Sequence, residues 1–524
     1  MHAAQSRGVF VLPFQEKYGI LLEAFLTTMK NKEILFMAKR ETFSSRLGFI
    51  LVSAGCAVGI GNVWKFPYIC GKFGGAAFIL IYLLFLAILG LPILVCEFAV
   101  GRSSRKSCVA SFRALEPEGR QFHLYGPLGM AGNVLLMMFY TTVAGWMMCY
   151  FWKCLCGDFT AAMTTQEVAA QFGALTANPG RMLFWAILAT LLSFGICAMG
   201  VVNGVERITK VMMMGLLGLI VVLAIHSLTL PGAMEGVKFY LIPDFGAMAE
   251  QGVGNVIFAA MSQAFFTLSL GIGAMAICGS YKEKSASLTG DALTITVLDT
   301  FVALMAGLII IPACFSFGIQ PDAGPSLIFI TLPNIFNQMV AGRLWGTLFF
   351  LFMTFAAIST VIAVFENILA CAMDLWGWSR RKAVAINLAA ITVLSVPCIL
   401  GFNVLSGIQP LGSGSGILDL EDFLVSNNLL PLGSLVYLAF CVSRGGWGWD
   451  NFLEEADTGR GLRFPRWLRP YMTWVLPVIV VVIYLKGYWD MFAGKGLGYL
   501  IPWLALAAAF LAFIGWMVFG KKKA

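Results

Sequence analysis

The apolar residues of this chain come in long unbroken runs, not in the alternation of a strand or the one-sided stripe of a soluble helix. Twelve runs have roughly the length at which an α-helix crosses a bilayer, about 20 residues. They lie at residues 47–70, 76–100, 125–151, 182–200, 208–230, 253–278, 293–318, 344–375, 383–402, 417–442, 467–485 and 497–519. Backbone polar groups in lipid must pair inside their own segment, so such runs are helices. The pattern predicts an all-α membrane protein of twelve transmembrane helices.

Two of the runs are interrupted alike. Gly59-Ile60-Gly61 sits near the middle of the first, and Gly271-Ile272-Gly273 near the middle of the sixth. Paired glycines weaken a helix. Either pair alone reads as close helix packing through small residues. Two pairs at corresponding positions, five spans apart, predict a five-plus-five inverted repeat with interrupted first and sixth helices. Such breaks mark a central site, because freed backbone groups are tolerated in a membrane only against ligand, ion or water. The repeats would cover about residues 46–231 and 251–442, with two additional helices at about 466–519.

Charge gives this picture a direction. Arg40 and Arg46 precede the first run; Arg102, Arg105, Lys106 and Arg113 follow the second. Arg380, Arg381 and Lys382 lie between the eighth and ninth, and Lys521, Lys522 and Lys523 follow the twelfth. All fall on one side if the count is even, which predicts cytoplasmic termini in a cell inner (plasma) membrane. The formal charge of +8 is this bias, and no basic cluster interleaves with aromatics as a nucleic-acid surface would. Of the 524 residues 59% are hydrophobic and only 12% charged, so ionisable groups within or near the runs stand out. They are Lys65, Glu97, Asp299, Glu366 and Asp422. A charge at mid-bilayer costs a few kcal/mol; ion pairing accounts for some of these, and a solute pathway accounts better for five.

Composition also excludes classes. The thirteen cysteines form no CxxC pair and the three histidines lie far apart, so neither a disulfide framework nor a zinc site is expected. No nucleophile–base set or phosphate-binding loop is present, which argues against an enzyme, and no organic cofactor is expected. Residues 1–36 stand apart: their apolar run 20–27 is interrupted by Glu23 and is too short to span. They read as a dispensable N-terminal extension, either a frayed tail or surface helix or a segment ahead of a natural start at Met37. Residues 37–524 then form a single domain.

At Arg40-Glu41-Thr42-Phe43-Ser44-Ser45-Arg46-Leu47-Gly48, and then at AGCAVGIGNVWKFPY (54–68), the sequence resembles the neurotransmitter:sodium symporter family, in the branch of the bacterial leucine transporter. The likeness continues through GLPILVCEFAVGR (90–102), FYTTVAGW (139–146), QAFFTLSLGIGAM (263–275), AAISTVIAVFE (356–366) and LDLEDF (418–423). The resemblance covers nearly everything from Arg40 to about residue 440, in order and at the expected spacing.

The resemblance implies two sodium sites built from hard oxygen ligands. The first would use the Ala57 carbonyl with Asn62, Thr267 and Asp299. The second would use the carbonyls of Gly55, Val58 and Ala356 with the hydroxyls of Ser359 and Thr360; bonding of those hydroxyls back to their own helix is the alternative. It also implies a substrate site. Monoamine carriers of the family place an aspartate where this chain has Gly59, which leaves room for a substrate carboxylate beside the first sodium, the Ile60 and Gly61 amides and the Tyr140 hydroxyl. The amine would meet carbonyls of Ala57, Phe266 and Thr267 and the Ser269 hydroxyl. The side-chain pocket would comprise Leu136, Val143, Phe266, Ile272, Val364 and Thr360, apolar but for the threonine. An outer gate would pair Lys65 with Asp422, capped by Tyr140 and Phe266. An inner gate would pair Arg40 with Asp374, buttressed by Ser280 and Tyr281. Lys65 replaces the usual arginine, and Phe43 stands at a tryptophan position.

The expected function is therefore sodium-coupled symport of neutral hydrophobic L-amino acids by alternating access. Chloride is not expected, because Asp299 takes the position of an asparagine in chloride-requiring members, while Tyr82, Gln263 and Thr267 match their other ligands and Ala303 replaces a serine. The alternatives are a proton-coupled amino-acid transporter, or a channel-like or scaffold protein without coupled transport. The partners implied are a neutral amino acid and the lipid bilayer.

Overall fold

The computed structural model describes residues 40–318 and 327–520. The 1–36 extension, the start at Met37 and the Lys521–Lys523 cluster lie outside the described residues. The chain divides into two units, Met1–Glu41 and Thr42–Ala524, and every helix described below belongs to the second.

Among the described residues there is no strand, only an isolated bridge between Ala286 and Arg460. The helices of the membrane region are α1 (Arg46–Ala57), α2 (Gly61–Lys72), α3 (Ala76–Ser104), α4 (Phe122–Cys156), α5 (Pro179–Ala198), α6 (Val201–Leu228) and α7 (Val253–Thr267). They continue as α8 (Ala274–Ser280), α9 (Leu288–Ser316), α10 (Gly342–Trp376), α11 (Arg380–Leu400), α12 (Ile417–Val442), α13 (Leu468–Lys495) and α14 (Leu497–Phe519). Ten of these are long and apolar enough to cross a bilayer, and the bent pair α1–α2 makes an eleventh. The sixth expected run is present as α7 and α8, of 15 and 7 residues, each too short to cross by itself.

The two breaks are local backbone events. Between α1 and α2 the axis bends by 57°, with Val58 in an extended conformation. Between α7 and α8, Ser269, Gly271 and Gly273 all have positive φ, at 50°, 95° and 76°. Glycine is needed at Gly271 for a second reason: a Cβ there would run into the Leu430 carbonyl. The amides freed at this break are satisfied by the buried Glu97, which accepts from Gly271, and the freed carbonyls of Gly271 and Ile272 accept from Tyr125 and Asn133.

Prolines leave a second signature. Six turns are widened to the π form among the described residues; Val201–Glu206 has no proline after it, and the other five lie at Gly61–Lys65, Leu86–Gly90, Leu327–Thr331, Val425–Leu429 and Tyr471–Val475. Each of these five ends two residues before a proline: Pro67, Pro92, Pro333, Pro431 and Pro477. A proline offers no N–H and its ring crowds the carbonyl four residues back. Opening that turn relieves the crowding without ending the helix.

The long helices α4 and α10 pack along each other and form one wall. Against it stand the broken elements: α1 touches α6, α9 and α10, while α8 is held by α3 and α10. All thirteen cysteines are free and only Cys156 is exposed.

Candidate functional site

The break at Val58–Ile60 faces α4, α7 and α10, and the sequence-nominated oxygens meet there. The Thr360 hydroxyl, on α10, lies 3.2 Å from the Gly55 carbonyl, 3.2 Å from the Val58 carbonyl and 3.3 Å from the Ala356 carbonyl. Ser359 Oγ is 3.0 Å from the same Ala356 carbonyl. One hydroxyl carries one proton, so it cannot donate to three carbonyls at once. A buried group of oxygens of this kind could hold a hard cation, while the Ala356 contacts are also the back-bonds of Ser359 and Thr360 to their own helix.

A second cluster lies across the break. Asp299 on α9 is fully buried and accepts from Thr267 Oγ1 at 2.8 Å and from Asn62 Nδ2 at 2.8 Å. Asn62 Nδ2 also lies 2.9 Å from Thr267 Oγ1, and its Oδ1 accepts from the Gly59 amide at 3.1 Å. No arginine or lysine within 4.0 Å of Asp299 balances its charge among the described residues. Turning the Asn62 amide over would set its oxygen beside Thr267 and Asp299 and gather three oxygens there.

Between the clusters lies a small chamber of about 30 Å³. Nine of the thirteen nominated substrate residues line it: Ala57, Gly59, Gly61, Leu136, Tyr140, Phe266, Ser269, Ile272 and Thr360. Asn62 joins them, as do Val425 and Leu430 of α12, which no motif had marked. Ile60, Val143, Thr267 and Val364 do not line it, although all are buried. Ile60 contributes through its backbone, donating its amide to the Tyr140 hydroxyl at 3.0 Å. A Cβ at Gly59 would sit 2.5 Å from that hydroxyl and 3.0 Å from Thr360 Oγ1, so the site has no space for a larger residue. Ser269 Oγ reaches the Cys56 carbonyl at 3.3 Å.

Phe266 separates this chamber from an outer space of about 50 Å³ lined by Lys65, Phe258, Asn427 and Ile483. The Lys65 ammonium lies 3.9 Å above the Phe266 ring. It makes no ion contact with Asp422, whose carboxylate accepts instead from Ser426 at 2.6 Å. The nominated outer pair is thus near but unjoined in this conformation, and Lys65 rests on the aromatic cap.

On the opposite side stand the residues nominated for the inner gate. Arg40 belongs to the N-terminal unit, so its pairing with Asp374 lies outside what the second unit describes. Within that unit Asp374 accepts from the Ser107 amide at 2.6 Å. Ser280 Oγ bonds to the Ile277 carbonyl at 2.7 Å, and Tyr281 donates to Glu366 at 2.7 Å. Glu366 also holds Arg380 through a two-pronged pair at 2.8 and 2.7 Å. Phe43 packs edge-on against Tyr281, and its amide donates to the Tyr281 carbonyl at 3.0 Å. Glu206 accepts from the Ser44 amide and both the Ser44 and Ser45 hydroxyls, at 2.7, 2.6 and 3.2 Å. Glu206 escaped the sequence reading and Arg380 entered it only as a charge that sets orientation; only the fold shows what each grips.

Comparison with known proteins gives the same frame. The sequence model of the family described as "Sodium:neurotransmitter symporter family" matches residues 40–172 and 172–519. A Bacillus subtilis protein described as an uncharacterized sodium-dependent transporter is 34% identical over 450 residues, 85% of this chain and 97% of its own length. A Bos taurus protein described as a sodium- and chloride-dependent taurine transporter is 25% identical over 494 residues, 84% of this chain and 77% of its own. The crystal structure of MhsT in complex with L-phenylalanine superposes with a TM-score of 0.76 at 38% identity, covering 86% of this chain and all of that one.

Proposed function

The chain belongs to the sodium:neurotransmitter symporter family, a family of membrane transporters and not of enzymes, and from that premise we propose that it imports neutral hydrophobic L-amino acids together with sodium. The observation that carries the sodium part is the convergence of the Gly55, Val58 and Ala356 carbonyls on the Ser359 and Thr360 hydroxyls. Sodium sheds its water only for such a cage of hard oxygens, and α1 can offer carbonyls because it is broken there. A second sodium would sit with Asn62, Thr267, Asp299 and the Ala57 carbonyl, where its charge answers the buried carboxylate.

Substrate class follows from charge and space. With Gly59 the site offers no side-chain anion for an amine, and an aspartate Cβ would collide with Tyr140. A carboxylate is the group that fits, at the start of α2, whose amides and dipole favour an anion. Leu136, Ile272, Val425 and Leu430 leave a charged substrate side chain without partners. A relative solved with L-phenylalanine accords with that apolar lining. Both termini would be cytoplasmic in the plasma membrane.

The test is counterflow and uptake of labelled amino acids in proteoliposomes. Uptake should require an inward sodium gradient, and hydrophobic amino acids should compete where their decarboxylated amines do not. Ser359→Ala with Thr360→Ala should abolish transport. Equal uptake in potassium driven by a proton gradient would replace sodium coupling with proton coupling.

A further inference from the structure

A cavity of about 1020 Å³ opens on the flank where α12, α13 and α14 meet, and it shares no residue with the substrate chamber. Most of its wall is aliphatic, including Val478, Val482, Leu511 and Val518. One end is different. Arg444, just past the end of α12, and Arg469, in the first turn of α13, both line it there. The last residue of α14, Phe519, closes the same end.

The dimensions fit a lipid chain below a headgroup. At about 1.5 Å rise per residue, Val482 lies about 20 Å along α13 from Arg469, and Leu511 about 12 Å along α14 from Phe519. The groove therefore runs from the level of helix ends, where headgroups lie, well into the hydrocarbon.

Charge selects among lipids. The Arg444 side chain is exposed, and no ion pair or side-chain hydrogen bond engages it among the described residues. The Arg469 guanidinium lies 6.0 Å over the Trp449 ring. A third arginine stands behind them: Arg120 reaches the Gly520 carbonyl at 3.5 Å and lies against Gly445. In sequence, Gly520 is followed by Lys521-Lys522-Lys523. The nearby acids Asp450, Glu454 and Asp457 line a neighbouring cavity together with Arg463, Arg466 and Arg469, and none of the three lines the groove.

We infer that this groove binds one anionic phospholipid, its phosphate on Arg444 and Arg469 and an acyl chain along α13 and α14. All transmembrane surface meets lipid. What sets this patch apart is a concave aliphatic slot ended by two arginines at headgroup height, a geometry that holds a lipid by both of its parts. On the orientation proposed above, the lipid belongs to the cytoplasmic leaflet, which is the more anionic one in plasma membranes.

The purified full chain, carrying phosphatidylglycerol or phosphatidylcholine with identical acyl chains, can be compared by native mass spectrometry. The wild type should retain one phosphatidylglycerol where phosphatidylcholine is stripped, a preference of roughly thirtyfold for two arginines facing a headgroup of net negative charge. Arg444→Gln with Arg469→Gln should bring that preference close to one. Val478→Trp, which fills the slot, should lower retention of both lipids. The wild-type comparison needs no variant, so equal retention of the two lipids overturns the inference outright. Disulfide trapping of Val482→Cys between two copies in a bilayer would also overturn it, because the occupant would then be a second chain.

Discussion

Asp299 is the side chain on which the proposed ion requirement turns. Its carboxylate is fully buried, bonded to Thr267 and Asn62, and faces no cationic side chain within 4.0 Å among the described residues. A bound anion about 4 Å away would be repelled by about 4 kcal/mol at an effective dielectric near 20, so on the proposed reading the carboxylate would stand in for chloride. Removing the charge should recreate the demand for one. Tyr82 lies against Asp299, the buried Gln263 Oε1 has no hydrogen bond among the described residues, and Ala303 sits one turn along the same face of α9. Asp299→Asn should impair uptake in every salt, and adding Ala303→Ser should restore it in sodium chloride but not in sodium gluconate. Initial uptake rates in the two salts measure this. A wild type that needs chloride, or an Asp299→Asn that works fully without it, would show that the carboxylate has no such part.

The elements that carry the site are the ones their own sequence keeps from being regular. Gly271 is held at φ 95° with the Leu430 carbonyl against its α-carbon, and its amide is bonded to Glu97. An alanine there would add about 1–2 kcal/mol of left-handed strain to a backbone collision that no rotamer relieves. Gly271→Ala should therefore insert in the membrane yet lose sodium-dependent amino-acid binding, measured by scintillation proximity. Gly195→Ala, in open space on α5, should bind normally. Normal binding by Gly271→Ala would mean that this break does not shape the site. The breaks were legible because two glycine pairs stand at corresponding positions five spans apart, where one pair alone would read as helix packing, and all twelve runs reappear as helical elements at nearly their read positions. The widened turns were equally written in the chain, as prolines, but their consequence depends on where the ring meets a carbonyl. Val425 and Leu430, beside one such turn, reach the chamber without belonging to any motif. Short helices such as Thr165–Thr176 and Trp449–Asp457 were missed because they are too polar to register as runs, and their positions come from caps and salt links such as Arg102 with Glu455 at 2.6 Å.

At the scale of the whole molecule the proposed sites make a prediction about how much charge crosses per cycle. Closure on the side opposite Lys65 is made of charges that stay with the protein: Arg46 with Asp291, Arg380 with Glu366, and Glu206 with Ser44 and Ser45. In the proposed cycle they would rearrange as the path opens and end where they began. A neutral amino acid travels as a zwitterion and contributes nothing net. With two sodium ions and no chloride, two positive charges would cross, each gaining about 2.3 kcal/mol per 100 mV of inside-negative potential. That is about 4.6 kcal/mol per 100 mV, more than a thousandfold in the limiting accumulation ratio. Valinomycin and a potassium gradient, in sodium gluconate, set that potential in proteoliposomes. Uptake of the labelled amino acid should rise steeply as the interior is made negative, and current on a solid-supported membrane should carry the same sign. A companion chloride would reduce the net charge to one, and a proton carried outward on Asp299 would do the same without chloride. Those two outcomes separate by gluconate substitution and by an internal pH dye. Uptake indifferent to potential, in chloride-free medium, would leave no route by which two sodium ions travel with one zwitterion, and the paired sodium sites around the α1 break would have to be reassigned.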